Sequence, residues 1–108
     1  MENKRIEQIK VFLLDSPNDT FLNYALAIEY LGINKNDLAK EIFEKLISNS
    51  PDYSATYYHY GKLLLLENRR EDAKLIFEKG VEIANKNKEI HAVAELRSIL
   101  NEILYDED

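Results

Sequence analysis

Residues 51–61, PDYSATYYHYG, crowd four tyrosines and a histidine into eleven positions, the densest grouping of reactive side chains in the chain. Phenols beside an imidazole could serve as general acids and bases, provided that a third group orients them towards a reacting atom. The only other histidine, His91, stands far from His59 and without the H-x-x-x-H spacing that sets two imidazoles on one helical turn. A metal would therefore have to draw on a mixed histidine and carboxylate set. Paired carboxylates such as Glu41 and Glu44 sit beside Lys40 and Lys45, which is the pattern of a solvated charge lattice worth tenths of a kcal/mol per pair. Cysteine is absent, which removes thiolate chemistry and disulfides, and no Gly-rich phosphate loop or serine nucleophile signature is present. These spacings assemble no active site. The expectation is a protein that is not an enzyme, with no cofactor and no metal.

The elements that carry these residues follow from composition. The chain of 108 residues has room for one domain, and 45% hydrophobic with 31% charged residues is a globular balance. Three Gly and two Pro supply too few turns for a many-stranded β fold, so helices are expected. A net charge of −6 with scattered Lys and Arg argues against a nucleic-acid partner, since phosphate binding draws most of its affinity from clustered cations. The first segment, MENKRIEQIKVFLLDSP, mixes both charge signs with an apolar run of only Val11 to Leu14. That is too short for a secretory signal or a membrane span, so no membrane association is expected and the default address is cytoplasmic.

The chain also repeats itself. AKEIFEK at 39–45 returns as AKLIFEK at 73–79, a shift of 34 residues. The same shift brings Tyr24 onto Tyr58, Leu31 onto Leu65, Asn34 onto Asn68 and Pro17 onto Pro51. Such a window would hold about two identities by chance. From Tyr24 to Lys45 it holds nine. A period of this length marks stacked supersecondary units.

Apolar spacing within each copy is helical, as in Leu22, Ala25, Leu26, Tyr30 and then Leu38, Ile42, Phe43, Leu46, Ile47. The reading is six helices, near 3–14, 20–32, 36–49, 54–67, 70–84 and 88–105. Asn34 and Asn68 fall between helices, where Asn tolerates the left-handed conformation of a helix end. Pro17 and Pro51 close helices. Asn36-Asp37 and Glu71-Asp72 supply cap and acidic first-turn residues to the helices that follow. In the last helix Ile90, Val93, Ala94, Leu96, Ile99, Leu100, Ile103 and Leu104 make a broad apolar face. The end of the chain, Tyr105 to Asp108, reads as a solubilising acidic tail.

This pattern resembles the tetratricopeptide repeat. Numbered from Thr20, the first copy places Leu26, Ala27 and Tyr30 at the family's first-helix positions, Ala39, Phe43 and Leu46 at those of the second helix, and Pro51 at the closing proline. From Ser54, the second copy supplies Tyr57, Tyr60, Gly61, Leu64, Ala73, Phe77 and Gly80. The small residues let paired helices approach and the Phe rings fill the gap they leave. Departures are Asn23 where the family has Trp, the large Leu46, and Asn85 in place of the closing Pro. Ile9 and Phe12 fit the packed positions of a truncated first unit, whereas Glu95 stands where a small residue belongs. The resemblance thus implies an all-α fold, a right-handed α-solenoid of antiparallel helix pairs with about six helices. It would form one domain over 1–108, with an N-terminal capping helix at 1–19, repeats at 20–53 and 54–87, and a C-terminal capping helix and acidic tail at 88–108.

The resemblance also resolves the tyrosine run, because Tyr57 and Tyr60 take packed positions and Tyr53 falls in a connection. It further implies a non-enzymatic protein-interaction module whose concave groove binds a peptide segment of a partner protein. The groove positions are Phe21, Tyr24, Ile28 and Leu31, then Ala55, Tyr58, His59, Lys62 and Leu65, then Glu89 and Leu96. Phe21, Tyr24, Ile28, Tyr58, His59 and Lys62 are the expected partner contacts, whereas Leu31 and Leu65 are expected to pack internally. Domains of this family that clamp a chaperone's C-terminal carboxylate need Lys, Asn and Arg where this chain has Tyr24, Ile28, His59, Glu89 and Val93, so that ligand is not expected. The alternative is a structural homodimer, paired through Leu100, Ile103 and Leu104 of the last helix.

Overall fold

A computed structural model describes residues 3–106, and among these the secondary structure is six α-helices and no strand. They are α1 (Lys4–Asp15), α2 (Thr20–Gly32), α3 (Asn36–Asn49), α4 (Ala55–Leu66), α5 (Arg70–Lys86) and α6 (Ile90–Asp106). The chain divides between Ser50 and Pro51 into two compact units, α1 to α3 and α4 to α6. Within each unit, consecutive helices pack as antiparallel neighbours. Of the expected acidic tail, Tyr105 and Asp106 end α6 and Glu107 and Asp108 lie outside the described residues. Asp106 faces Arg70 across the second unit at 3.8 Å.

Caps and turns explain the helix limits. The Asn3 side chain accepts from the backbone N–H groups of Arg5 and Ile6, and the Asp19 side chain accepts from that of Leu22. Asn34 and Asn68 both adopt φ 61°, as their residue type predicts. Each anchors the same six-residue closure, in which Lys35 N–H donates to the Tyr30 carbonyl and Arg69 N–H to the Leu64 carbonyl, both at 2.9 Å. Asn36 is not a cap: it is the first helical residue of α3, and no side chain caps α3 or α5. At the corresponding point of the α5–α6 turn a lysine stands in place of Asn or Gly, yet Lys88 also sits at φ 61° and Glu89 N–H donates to the Ala84 carbonyl at 2.9 Å. That turn is therefore of the same kind as the turn inside each repeat.

Each unit has a dry centre. In the first, Ala27, Ala39 and Phe43 are wholly inaccessible; in the second, so are Ala73, Phe77 and Ala84. Leu64, Leu96 and Ile103 join the second core, and Leu100 packs against it. Three expectations fail here. Phe12 is 62% exposed because no helix precedes α1 among the described residues to cover it. Ile103 is only 4% exposed, so the broad face of α6 is spent largely inside its own unit. Ile90, expected on that face, is solvent-facing instead.

Asn23 and Tyr57 are equivalent under the 34-residue shift and share a task despite different chemistry. The Asn23 amide donates to the Pro17 carbonyl at 3.0 Å and to the Asp19 carbonyl at 2.8 Å, and the Tyr57 hydroxyl donates to the Pro51 carbonyl at 2.6 Å. Each polar tip satisfies a carbonyl in the turn that precedes its own helix. Burial first, then Asp52 and Glu82, raise the Tyr57 pKa above 10.0. The neutral donor is thus the form that the fold holds.

Two stability predictions follow from this packing. A Cβ added at Gly61 would sit 2.6 Å from Cζ of the fully buried Phe77 ring, so Gly61→Ala should cost about 1–3 kcal/mol in urea unfolding even though Ala favours a helix. Tyr57→Phe, which leaves the Pro51 carbonyl without its phenol, should cost about 1–2 kcal/mol. The phenol's contribution to stability is complete below 10.0 and is lost as pH rises through the raised folded value. Alkaline unfolding monitored by circular dichroism should therefore be less steep in Tyr57→Phe than in the wild type.

Candidate functional site

The residues expected at a groove fall in different units. Phe21, Tyr24 and Ile28 lie on α2 in the first, and Tyr58, His59 and Lys62 on α4 in the second. On α2, Phe21 is 64% exposed while Tyr24 and Ile28 are half-buried. The Tyr24 ring leans on the buried Phe43 ring, with centroids 6.4 Å apart and planes tilted by 55°. Part of Tyr24 is thus structural, and Phe21 is the freely accessible aromatic of that helix.

The second unit brings its three candidates together. Lys62 lies one helical turn after Tyr58, and its ammonium stands 5.1 Å from the centre of the phenol ring. His59 meets the same ring edge-on at 5.3 Å. Between α4 and α6 opens a depression of ≈ 570 Å³ lined by Tyr58, Lys62, Ala94, Glu95, Ser98, Ile99 and Glu102. Its wall on α4 is aromatic with one cation, and its wall on α6 carries two exposed carboxylates above the half-buried Ile99. Such a surface can receive an apolar side chain on the Tyr58 and Ile99 floor, and a donor or cation against Glu95 and Glu102.

Sequence reasoning missed the α6 wall, because it placed Glu89 and Leu96 at the groove. Leu96 is 1% exposed in the core. The Glu89 carboxylate accepts from the Ser54 hydroxyl and from the Asn87 amide, each at 2.9 Å, while the same Asn87 amide donates to the Asp52 carbonyl at 2.8 Å. Glu89 therefore ties the start of α4 to the α5–α6 turn. The signal that locates the α6 wall is the helical spacing of Glu95, Ser98, Ile99 and Glu102, which places them on one stripe. Leu31 and Leu65 are half-buried, Leu104 is exposed, and of the three residues expected at a dimer face Ile103 is unavailable. Among the described residues no three His, Asp or Glu side chains come together as a metal site, and no helix is long and apolar enough to cross a membrane.

Comparison with known proteins agrees with this architecture. The model of the tetratricopeptide repeat family matches residues 30–96. A tetratricopeptide repeat domain protein of Salinibacter ruber, solved in solution, is 35% identical, with a TM-score of 0.76 over 82% of this chain and 89% of its own. The solution structure of a Bordetella parapertussis protein superposes with a TM-score of 0.82 over 99% of this chain and 92% of its own, and at 21% identity it shares the fold alone. Human aspartyl/asparaginyl beta-hydroxylase is 35% identical over 66 residues, which are 61% of this chain and 9% of the hydroxylase. The chain thus spans about a tenth of that curated relative's length.

His59 gives the site a pH dependence. Burial is the main cause that lowers its pKa below 6.5, the Lys62 charge adds to it, and Glu95 opposes both. A group held neutral by the fold contributes its stability in full above 6.5 and loses it as pH falls through the lowered folded value. The wild type should therefore lose stability as pH falls below about 6.5. His59→Gln should flatten that interval in pH-resolved thermal melts.

Proposed function

The chain belongs to the tetratricopeptide repeat family, whose domains generally serve as protein–protein interaction modules and are typically non-catalytic, and from that premise we propose that it is a non-enzymatic adaptor that binds a peptide segment of a partner protein. The observation that carries this reading is the half-buried Tyr58 ring. It is braced by Lys62 and His59 at the foot of the α4–α6 depression, opposite Glu95 and Glu102. Tyrosine offers contact area at little entropic cost, and a cation stacked on its face keeps it oriented. The carboxylates on α6 select a segment that carries an apolar residue next to a basic one. Phe21 and Tyr24 give the first unit an aromatic surface of its own on α2.

Burying two or three such side chains gains about 1.5–3 kcal/mol each before association costs, which places the affinity in the micromolar range. The test is capture of partner proteins by the tagged chain, followed by titration of the captured segment. Tyr58→Ala combined with Lys62→Ala should weaken binding at least about tenfold, equivalent to 1.4 kcal/mol, with helical circular dichroism unchanged. Undiminished affinity in that folded variant would remove the α4–α6 surface from the function.

A further inference from the structure

The depression between α4 and α6 continues beyond the side chains that floor it. Ser98 and Glu102 also line a second recess of ≈ 520 Å³ together with Asn101, Tyr105 and Asp106, so one trough follows α6 from Ala94 to Tyr105, roughly 16 Å of helix. Its charge is one-sided. Glu95, Glu102 and Asp106 recur at intervals of seven and four residues, which keeps all three on one stripe of α6. Asp106 faces Arg70 at 3.8 Å. Glu95 and Glu102 are exposed and form no ion pair among the described residues. On α5 the acids are met locally instead: Glu71 lies 3.5 Å from Lys74, Glu82 3.4 Å from Lys79, and Asp72 2.9 Å from Arg69. No such partner is at hand on α6, where Arg97 stands two positions from Glu95 and hence on the far flank of the helix. Across the trough, Lys62 of α4 is a single cation held 5.1 Å from the centre of the Tyr58 ring.

We propose that the occupant is an amphipathic α-helix of a partner protein, with Lys or Arg at positions i and i+7 on its flank towards α6 and an apolar residue at i+3 or i+4 between them. The proposal rests on the α4–α6 surface being the partner site, and adds the shape and charge pattern of what binds there. Spacing decides the shape. Glu95 and Glu102 are about 10.5 Å apart along α6, and a helix laid beside α6 returns to the same face at the same interval. Its i+3 and i+4 residues lie midway and within about 60° of the cation line, so an apolar side chain there reaches Ile99 and the half-buried Tyr58 ring. An extended strand presents one face every ~6.8 Å, which leaves its second same-face cation out of step with Glu102. A polyproline II segment returns every ~9 Å, but its intervening residues point about 120° away and leave the floor between the carboxylates empty. The trough seats about three helical turns. Lys62 on the opposite wall turns away a second basic flank and accepts an acidic one, which fixes which side of the partner helix meets α6.

Fluorescence anisotropy of labelled synthetic peptides titrated with the full chain tests the proposal. The probe is an alanine- and glutamine-based helix of about 18 residues with Lys at i and i+7 and Leu at i+3 and i+4. It should bind with a Kd of about 100 µM or less. An isomer of the same composition with its second Lys at i+5, and a third peptide broken by Pro at i+2, should each bind at least about fivefold more weakly. Glu95→Gln combined with Glu102→Gln, two exposed changes that should leave circular dichroism unaltered, should weaken the first peptide at least about fivefold. Equal binding of the isomer, equal binding of the Pro peptide, an unchanged affinity in the double Gln variant, or no binding of the first peptide at about 1 mM would each overturn the basic-helix assignment. None of these results touches the site itself, which is judged by captured partner segments against Tyr58→Ala with Lys62→Ala. Partner binding undiminished in that variant removes the site and the basic-helix assignment together.

Discussion

Everything in each unit depends on how closely two antiparallel helices can approach. In the second unit the limit is set where Gly61 of α4 lies under the Phe77 ring of α5, with no room for even one added carbon. In the first, Ala27, Ala39 and Phe43 are all wholly inaccessible. A ring lodged at a position without a side chain fixes both the separation and the axial register of a pair. Lys62 falls over Tyr58 by the one-turn spacing of α4 itself, and the packing of the unit sets the Glu95 and Glu102 stripe of α6 as the opposite wall. The surface proposed for partner binding is thus a by-product of close helix contact beneath it.

The same constraint explains how the copies tolerate different residues. Gly80 replaces the Leu46 of the first copy, and a Cβ there would meet Tyr57 Cβ at 2.8 Å and Leu96 Cδ2 at 3.1 Å. Volume lost at one position is filled by larger neighbours in the same unit. Asn23 and Tyr57 exchange an amide for a phenol and still reach the carbonyl of the proline six residues before them. Repeat identity at these positions is preserved as an interaction, while the residue type changes.

Helix number and limits were legible because periodic apolar residues, prolines and the Asn34 and Asn68 turns all point the same way, and the ends differ by no more than two residues. Lys88 was not legible: a lysine at positive φ carries no signal of its own, and it is imposed by the closure from Glu89 to Ala84. That turn also changes the phase of α6, so Glu89 and Leu96, counted forward by 34 from α4, pointed to the wrong side of the helix. Tyr58 was legible as a candidate because the first copy repeats it as Tyr24, and Lys62, whose counterpart is Ile28, only because the resemblance put it on the same face. The wall opposite them was hidden by the changed phase. The outward aspect of Phe12 and the burial of Ile103 depend on which helices are present beside them, which local pattern does not encode.

A chain that contains two copies of one unit supplies its own reference for what each position faces. At buried positions a departure between copies is compensated by a neighbour, as Gly80 is by Leu96. At exposed positions no neighbour exists to compensate, so a polar residue in two second helices and an apolar one in the third records a difference in surroundings. Lys45 and Lys79 face solvent on α3 and α5, and Val11 stands at the same point of α1. An exposed valine lacks the favourable hydration that its lysine counterparts have, and as a β-branched residue it has a slightly lower helix propensity. Local stability therefore offers no reason for it.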